Sequence, residues 1–292
     1  MDGFQFHNLS NLLALFSVPC TPSNLESQVG AEVVNISWSA SIGAVNYTSV
    51  ITGDGEVTYE CHTPHTSCSV PDLMCGSQYS MAVTAYGQYC NSNRSYTKTF
   101  QTAPCSPQNV TAEVDCVTNI VAVSWDKSLG ADNYTALAIT TDGGLYVCHS
   151  NSTYCDIVGL SCGQKSVITV SAANNYSDSK ASSAIELLTA PCTPTNLISL
   201  AGAEVVDVSW LGSIGAVNYT TLIIKDGGDK YECHTSNMSC SVTDLMCGSQ
   251  YSVTVTANGA YCSSNSSHTH SFQTGHSGFL PHFKDIQIEN NL

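Results

Sequence analysis

The pattern Cys-x6-Cys-x6-Cys-Gly is written three times in this chain, at Cys61/Cys68/Cys75, Cys148/Cys155/Cys162 and Cys233/Cys240/Cys247. Each copy follows a lone tryptophan: Trp38, Trp125 or Trp210. The tryptophans lie 87 residues apart (38 to 125) and then 85 (125 to 210), the size of a small independent domain rather than a solenoid turn. A chain of 292 residues organised in this way is an array of three domains. Each is near the size at which a single hydrophobic core is only marginally sufficient, so covalent staples are expected.

The cysteines set the compartment. Fifteen of them in a chain with 11% charged residues, in register with the repeat, fit an oxidising environment, so the chain is expected to be extracellular or secreted, or at the cell surface if the full-length chain is anchored. Asn-x-Ser/Thr sequons agree: they begin at Asn8, Asn35, Asn46, Asn93, Asn109, Asn133, Asn151, Asn175, Asn218, Asn237 and Asn265. A chain rich in Asn, Ser and Thr produces some by chance. Asn46, Asn133 and Asn218, however, recur as Asn-Tyr-Thr at one place in every repeat, where a glycan would replace charge as the solubilising group.

The formal charge of -15, with eight Lys and Arg in all, repels phosphate backbones, so nucleic acid is excluded as a partner. There is no apolar run of 18 residues, hence no expected membrane span. Residues 1–19 read as a weak signal or, because LLALFSVPC resembles IELLTAPC before Cys192, as a remnant of an earlier repeat. The modules are expected at 20–103, 104–190 and 191–274. Residues 275–292 match nothing upstream and are expected to be a disordered tail.

Within a module, apolar residues alternate around the tryptophan: Val34/Ile36/Trp38, Val121/Val123/Trp125 and Val206/Val208/Trp210. Period two signals half-buried strands. The next strand carries Tyr47, Tyr134 or Tyr219 and ends in Gly53-Asp54-Gly55, Asp142-Gly143-Gly144 or Asp226-Gly227-Gly228, which is hairpin-turn chemistry. One Asp among glycines supplies too few oxygens for calcium. Further strands follow at Tyr59–His62, around Cys68 and Val70, and along Tyr79/Met81/Val83/Ala85, and no helical period is present.

Seven short strands, an early Trp and a late Tyr describe an all-β, immunoglobulin-like two-sheet sandwich. Pro22-x-Asn24-Leu25, Trp38, Tyr47, SCSVPDLMCGSQY (67–79) and Val83-x-Ala85 resemble fibronectin type III domains, and repeat three matches with Trp210, Tyr219, Leu245, Gly248 and Tyr251. The added cysteines make residues 20–274 similar to the cysteine-rich fibronectin type III domain-containing protein 7 group. Repeat two departs from the pattern: Ser166 stands where Tyr79 and Tyr251 do, so its tyrosine-corner hydrogen bond should be absent.

The resemblance implies disulfides. The fourth and fifth strands of such a sandwich lie in opposite sheets, which pairs Cys61 with Cys68, Cys148 with Cys155 and Cys233 with Cys240. The cysteine that opens a module lies at the same end as its last long loop, which pairs Cys20 with Cys90 and Cys192 with Cys262. Each of these long bridges would stabilise by about 4 kcal/mol. Repeat two has Ser177 in that loop and an extra Cys116, which is expected to pair with Cys162. Cys75 and Cys105 then either staple repeats one and two together or stay as local thiols. Cys247 is left unpaired.

Catalysis has no residues to rest on. Cys75-Gly76-Ser77-Gln78-Tyr79 has Gln78 where a papain-type nucleophile would stand, and no hydrolase, zincin or phosphate-loop motif is present. Cys61-His62-x2-His65-x2-Cys68 could be read as a zinc cluster, but strand alternation turns His62 away from Cys61. No cofactor and no metal are expected, and Arg-Gly-Asp is absent.

The expected function is that of a non-enzymatic, glycosylated, disulfide-stapled array that binds an extracellular protein or itself, with a structural spacer or part of a receptor ectodomain as alternatives. Its recognition surface is expected at the loops 87–94, 174–178 and 258–264.

Overall fold

The computed structural model describes residues 18–275, and within them three β-sandwiches follow one another. In the first, β1 (Glu26–Val29), β2 (Val33–Ser37) and β5 (Ser67–Pro71) form one sheet in the order β1-β2-β5. The facing sheet runs β4-β3-β6-β7, from β3 (Asn46–Gly53), β4 (Thr58–Thr63), β6 (Gln78–Tyr86) and β7 (Lys98–Gln101). The second sandwich sets β8 (Thr111–Val114), β9 (Val121–Ser124) and β12 (Tyr154–Ile157) against β10 (Asn133–Thr140), β11 (Leu145–Ser150), β13 (Lys165–Ala173) and β14 (Ile185–Leu188). The third sets β15 (Thr195–Ala201), β16 (Val206–Leu211) and β19 (Ser239–Val242) against β17 (Asn218–Lys225), β18 (Lys230–Thr235), β20 (Gln250–Asn258) and β21 (His270–Gln273). The order is the same in all three, three strands against four. The expected N-terminal remnant and most of the tail lie outside the described residues, as does Asn8.

Alternation builds each core. Val34, Ile36 and Trp38 are buried, as are Val121, Val123 and Trp125, and Val206, Val208 and Trp210. The polar residues between them face out, the pattern of a sheet wet on one side. Each tryptophan packs on the tyrosine of the next strand: the Trp38–Tyr47, Trp125–Tyr134 and Trp210–Tyr219 ring centroids are 5.5, 5.3 and 5.3 Å apart. That tyrosine also reaches out of the core. The amides of Ser41, Ser128 and Ser213 donate to the hydroxyls of Tyr47, Tyr134 and Tyr219 at 2.8, 2.9 and 2.8 Å. A buried aromatic with a polar tip thus fixes the loop between the second and third strands of every module.

At the opposite pole, the Met74 amide donates to Tyr79 Oη (2.9 Å) and the Met246 amide to Tyr251 Oη (2.8 Å). Burial pushes the Tyr79 phenol up, against the lowering effect of the Met74 amide. Repeat two has Ser166, fully buried, in the tyrosine's place. Its equivalent amide, Ser161 N–H, donates instead to Gln164 Oε1 at 3.0 Å. The tyrosine is missing, as expected, but the amide is not orphaned: a glutamine side chain takes over the hydrogen bond.

The last strand of each module begins irregularly. Ser92 and Ser95 accept the amides of Ala85 and Val83 (both 2.9 Å) through their side-chain oxygens, and Ser179/Ser182 and Ser264/Ser267 do the same in repeats two and three. Buried hydroxyls therefore complete the ladder of β6, β13 and β20 where the neighbouring backbone does not.

Candidate functional site at the module junctions

Where one module ends, no slack remains. Thr102 Oγ1 accepts the Ser77 amide (2.9 Å) and donates to the Met74 carbonyl (2.8 Å), which locks the end of β7 onto the turn that carries Cys75-Gly76. Thr189 does the same with Gln164 and Ser161, and Thr274 with Ser249 and Met246. The Gly76 amide then holds the Ala103 carbonyl, and the Gly163 amide the Ala190 carbonyl, each at 2.7 Å. Two residues on, Cys105 N–H and Cys192 N–H donate to the Leu129 and Ile214 carbonyls of the following module, each at 3.0 Å. Thr-Ala-Pro-Cys is therefore a fixed joint rather than a linker.

The modules touch backbone to backbone at that joint. Gly76 and Gly163 have φ of 63° and 64°, and Gly130 and Gly215 opposite them have φ of 75° and 81°. A Cβ on Gly76 would collide with the Leu129 carbonyl, and one on Gly163 with the Ile214 carbonyl. Only glycine combines the left-handed backbone with this approach. The sequence reading passed over this contact, although Ser-x-Gly recurs at 41–43, 128–130 and 213–215.

Six disulfides connect the described cysteines. Three are local: Cys61–Cys68, Cys148–Cys155 and Cys233–Cys240, with Cα separations of 6.6, 6.2 and 6.5 Å. Each ties the edge strand of the four-stranded sheet to the edge of the three-stranded one, closing one side of the sandwich. The other three are equivalent in purpose and cross the junctions. Cys75–Cys105 (Cα 4.9 Å) joins repeats one and two, and Cys162–Cys192 (4.8 Å) and Cys116–Cys262 (5.5 Å) join repeats two and three.

Three expected pairs are thereby corrected. Cys116 is not bonded to Cys162, nor Cys192 to Cys262: these four cysteines exchange partners across the junction. The expectation assigned both pairs to single modules. Cys116 and Cys162 do share the pole that meets repeat three, but they engage the cysteines that repeat three brings there. Cys20 is not bonded to Cys90 either, although both lie at the corresponding pole of repeat one. Cys247 is exposed on the turn equivalent to those of Cys75 and Cys162.

Two of the three long loops expected to form a recognition surface, 174–178 and 258–264, are engaged in the same joints. Asn174 Nδ2 donates to the Thr102 carbonyl of repeat one (3.0 Å), Lys180 pairs with Glu32 across that junction, and Cys262 is bonded to Cys116. The sequon asparagines Asn35, Asn46, Asn93, Asn109, Asn133, Asn151, Asn175, Asn218, Asn237 and Asn265 are all exposed.

A different surface stands open on repeat two. On the outer face of its four-stranded sheet, Ile139 is paired with both Leu145 and Val167, and Leu137 with Val147. Leu145 is 66% exposed, Val147 51%, Ile139 43% and Val167 38%. The corresponding positions of repeat one are Thr52, Thr58, Ser80, Val50 and Glu60, and those of repeat three are Ile224, Lys230, Ser252, Leu222 and Glu232, so that polar and charged side chains interrupt the apolar ones in both. The patch thus belongs to repeat two alone.

His62, His149 and His234 sit on outer faces, their Nδ1 atoms 2.8, 3.0 and 3.1 Å from Thr48, Thr135 and Thr220 hydroxyls. Among the described residues there is no group of three His, Cys, Asp or Glu able to hold a metal, and no helix long and apolar enough to cross a membrane.

No protein-family model matches the chain. Human fibronectin type III domain-containing protein 7 is 31% identical over 261 residues, covering 88% of this chain and 35% of that protein. The mouse protein of the same name is 30% identical over 240 residues, covering 81% and 32%. The chain therefore spans about a third of the length of the curated relatives it matches. Among solved structures, the FN1-FN3 domains of chicken CNTN1 align with 88% of this chain and 99% of theirs at 14% identity and a TM-score of 0.31. A two-domain fibronectin type III segment of chicken tenascin covers 58% of this chain and 99% of its own at 20% identity and a TM-score of 0.34. With its three-against-four sheet order written three times and its similarity to the curated relatives, the chain is a fibronectin type III repeat protein.

Proposed function

We propose that the chain is an extracellular, glycosylated protein-binding or adhesion array in which repeat two presents the contact surface and stapled joints hold it in a fixed pose. The observation that carries this reading is the apolar face of Leu137, Ile139, Leu145, Val147 and Val167. A spacer gains nothing from apolar side chains in water, and the same positions in repeats one and three are polar or charged except for Val50, Leu222 and Ile224. A contiguous apolar patch of this kind is characteristic of an interaction site. The disulfides and the exposed sequons support an oxidising, secretory route.

The test is surface display of the full chain on cells with proximity labelling, comparing the natural sequence with a Leu145→Glu, Val147→Glu variant. Loss of specific labelled proteins, or of self-association, in the variant supports binding. Identical labelling would leave the array a structural spacer, the reading that the rigid joints alone would favour. Treatment with a glycosidase that removes N-linked glycans tests the sequons directly, through the fall in mass of the secreted chain.

A further inference from the structure

At the joint between repeats two and three, repeat three offers two cysteines, Cys192 at its opening and Cys262 in its last long loop, and both are bonded to repeat two. Repeat one carries the same face. The Cys20 amide donates to the Ile42 carbonyl at 3.1 Å, as Cys192 does to Ile214 at 3.0 Å. The Gly87 amide donates to the Cys90 carbonyl at 2.8 Å, as Gly259 does to Cys262 at 2.7 Å. Pro19 lies under Gly87 as Pro191 lies under Gly259, a Cβ on either glycine falling 2.8 Å from the proline Cγ. Gly43 has φ of 84° against 81° for Gly215. Yet neither Cys20 nor Cys90 is in a disulfide, whereas Cys192 and Cys262 both are.

We infer that this pole of repeat one is an interface for another fibronectin type III module, one of the repeat-two kind, held by two disulfides. The count of cysteines selects the kind. Repeat two presents Cys116 and Cys162 to its follower, whereas repeat one presents Cys75 alone, because the β1–β2 turn of repeat one (30–32) holds no cysteine and is shorter than the β8–β9 turn that carries Cys116. Repeat two accepts that single bond, having Cys105 but Ser177 in its last loop. A face with two cysteines therefore matches a donor with two, and repeat one is built to follow a repeat-two module as repeat three does. Residues 1–19 hold no cysteine, so the partner thiols belong to sequence outside this chain.

The bonds form by thiol–disulfide exchange with a small disulfide such as oxidised glutathione. Each protein disulfide made from two thiols converts one molecule of that oxidant to two thiols, so the four thiols consume two.

The experiment maps cysteines without reduction in two proteins: the full chain, and a fusion in which a second copy of residues 104–190, with its Cys105→Ser, directly precedes Pro19. In the full chain, Cys20 and Cys90 are expected to be alkylated or capped by a small thiol, not linked to each other. In the fusion, the Cys20 peptide is expected to be linked to the added copy's Cys162 and the Cys90 peptide to its Cys116. Changing Cys116→Ser in the added copy should return Cys90 alone to the alkylated pool. A Cys20–Cys90 link in either protein overturns the inference. So does a fusion in which both remain alkylated or are scrambled among several partners.

Discussion

Cys116 and Cys262 lie 146 residues apart in the chain and 5.5 Å apart at Cα, each in a different sandwich. Their bond is the second across that joint, since Cys162–Cys192 already ties the two modules. The joint between repeats one and two adds the Asn174–Thr102 hydrogen bond and the Lys180–Glu32 pair to its one disulfide, and here a second covalent tie supplies the corresponding restraint. The Cys262→Ser variant should keep each module folded, with a melting transition within a few degrees of the parent. Its small-angle scattering should widen toward a distribution of inter-module angles, while the parent stays narrow.

The turn that holds Cys116 depends on a carboxylate. Asp115 Oδ1 accepts the amides of Thr118 (2.8 Å) and Val117 (2.9 Å), and those hydrogen bonds, the Thr118 amide first, hold its carboxyl below the usual range. A folded pKa below the unfolded one means that the turn is supported above the unfolded pKa. That support is lost as pH falls through the folded value. Protection of the Val117 and Thr118 amides, measured against their intrinsic exchange rates, should therefore fall on acidification. In Asp115→Asn this dependence should vanish.

Removing a capped amide has a cost in every module. Tyr79→Phe strands the Met74 amide and Gln164→Ala the Ser161 amide. Tyr79→Phe, at a part-buried hydrogen bond, is expected to destabilise repeat one by about 1–2 kcal/mol, and Gln164→Ala, at an exposed one that water can replace, to destabilise repeat two by less. Denaturant unfolding should show one transition shifted in each variant, the smaller shift in Gln164→Ala.

Gly163 and Gly143 separate strain from collision. Both have positive φ, but a Cβ at Gly143 meets nothing within 4 Å, whereas at Gly163 it strikes the Ile214 backbone. Gly143→Ala should cost about 1 kcal/mol, and Gly163→Ala more than that. Only Gly163→Ala should slow oxidation of the Cys162–Cys192 bond, measured by timed alkylation during refolding.

The local bridges act through the unfolded chain. Cys148–Cys155 closes a short loop, with a sequence separation of 7, so replacing both by Ala should cost about 2 kcal/mol. The shift should appear in repeat two's transition alone.

The fold was legible in the sequence because its signals are local. Alternation at Val34/Ile36/Trp38 and its copies fixes which side chains face inward, and the glycine-rich turns fix where strands reverse. A fibronectin-like sandwich then puts Cys61 and Cys68 on neighbouring edge strands, a relationship contained within a few residues. Cys116, Cys162, Cys192 and Cys262 obey no such local rule. Their partners depend on which pole of one sandwich meets which pole of the next, and that is decided by a backbone contact, Gly163 against Ile214 and Gly215, far from all but one of them in sequence. The apolar face of repeat two is of the same nature. Leu137, Ile139, Leu145, Val147 and Val167 are ordinary strand residues until register sets them side by side on a sheet surface that none of the other described residues covers.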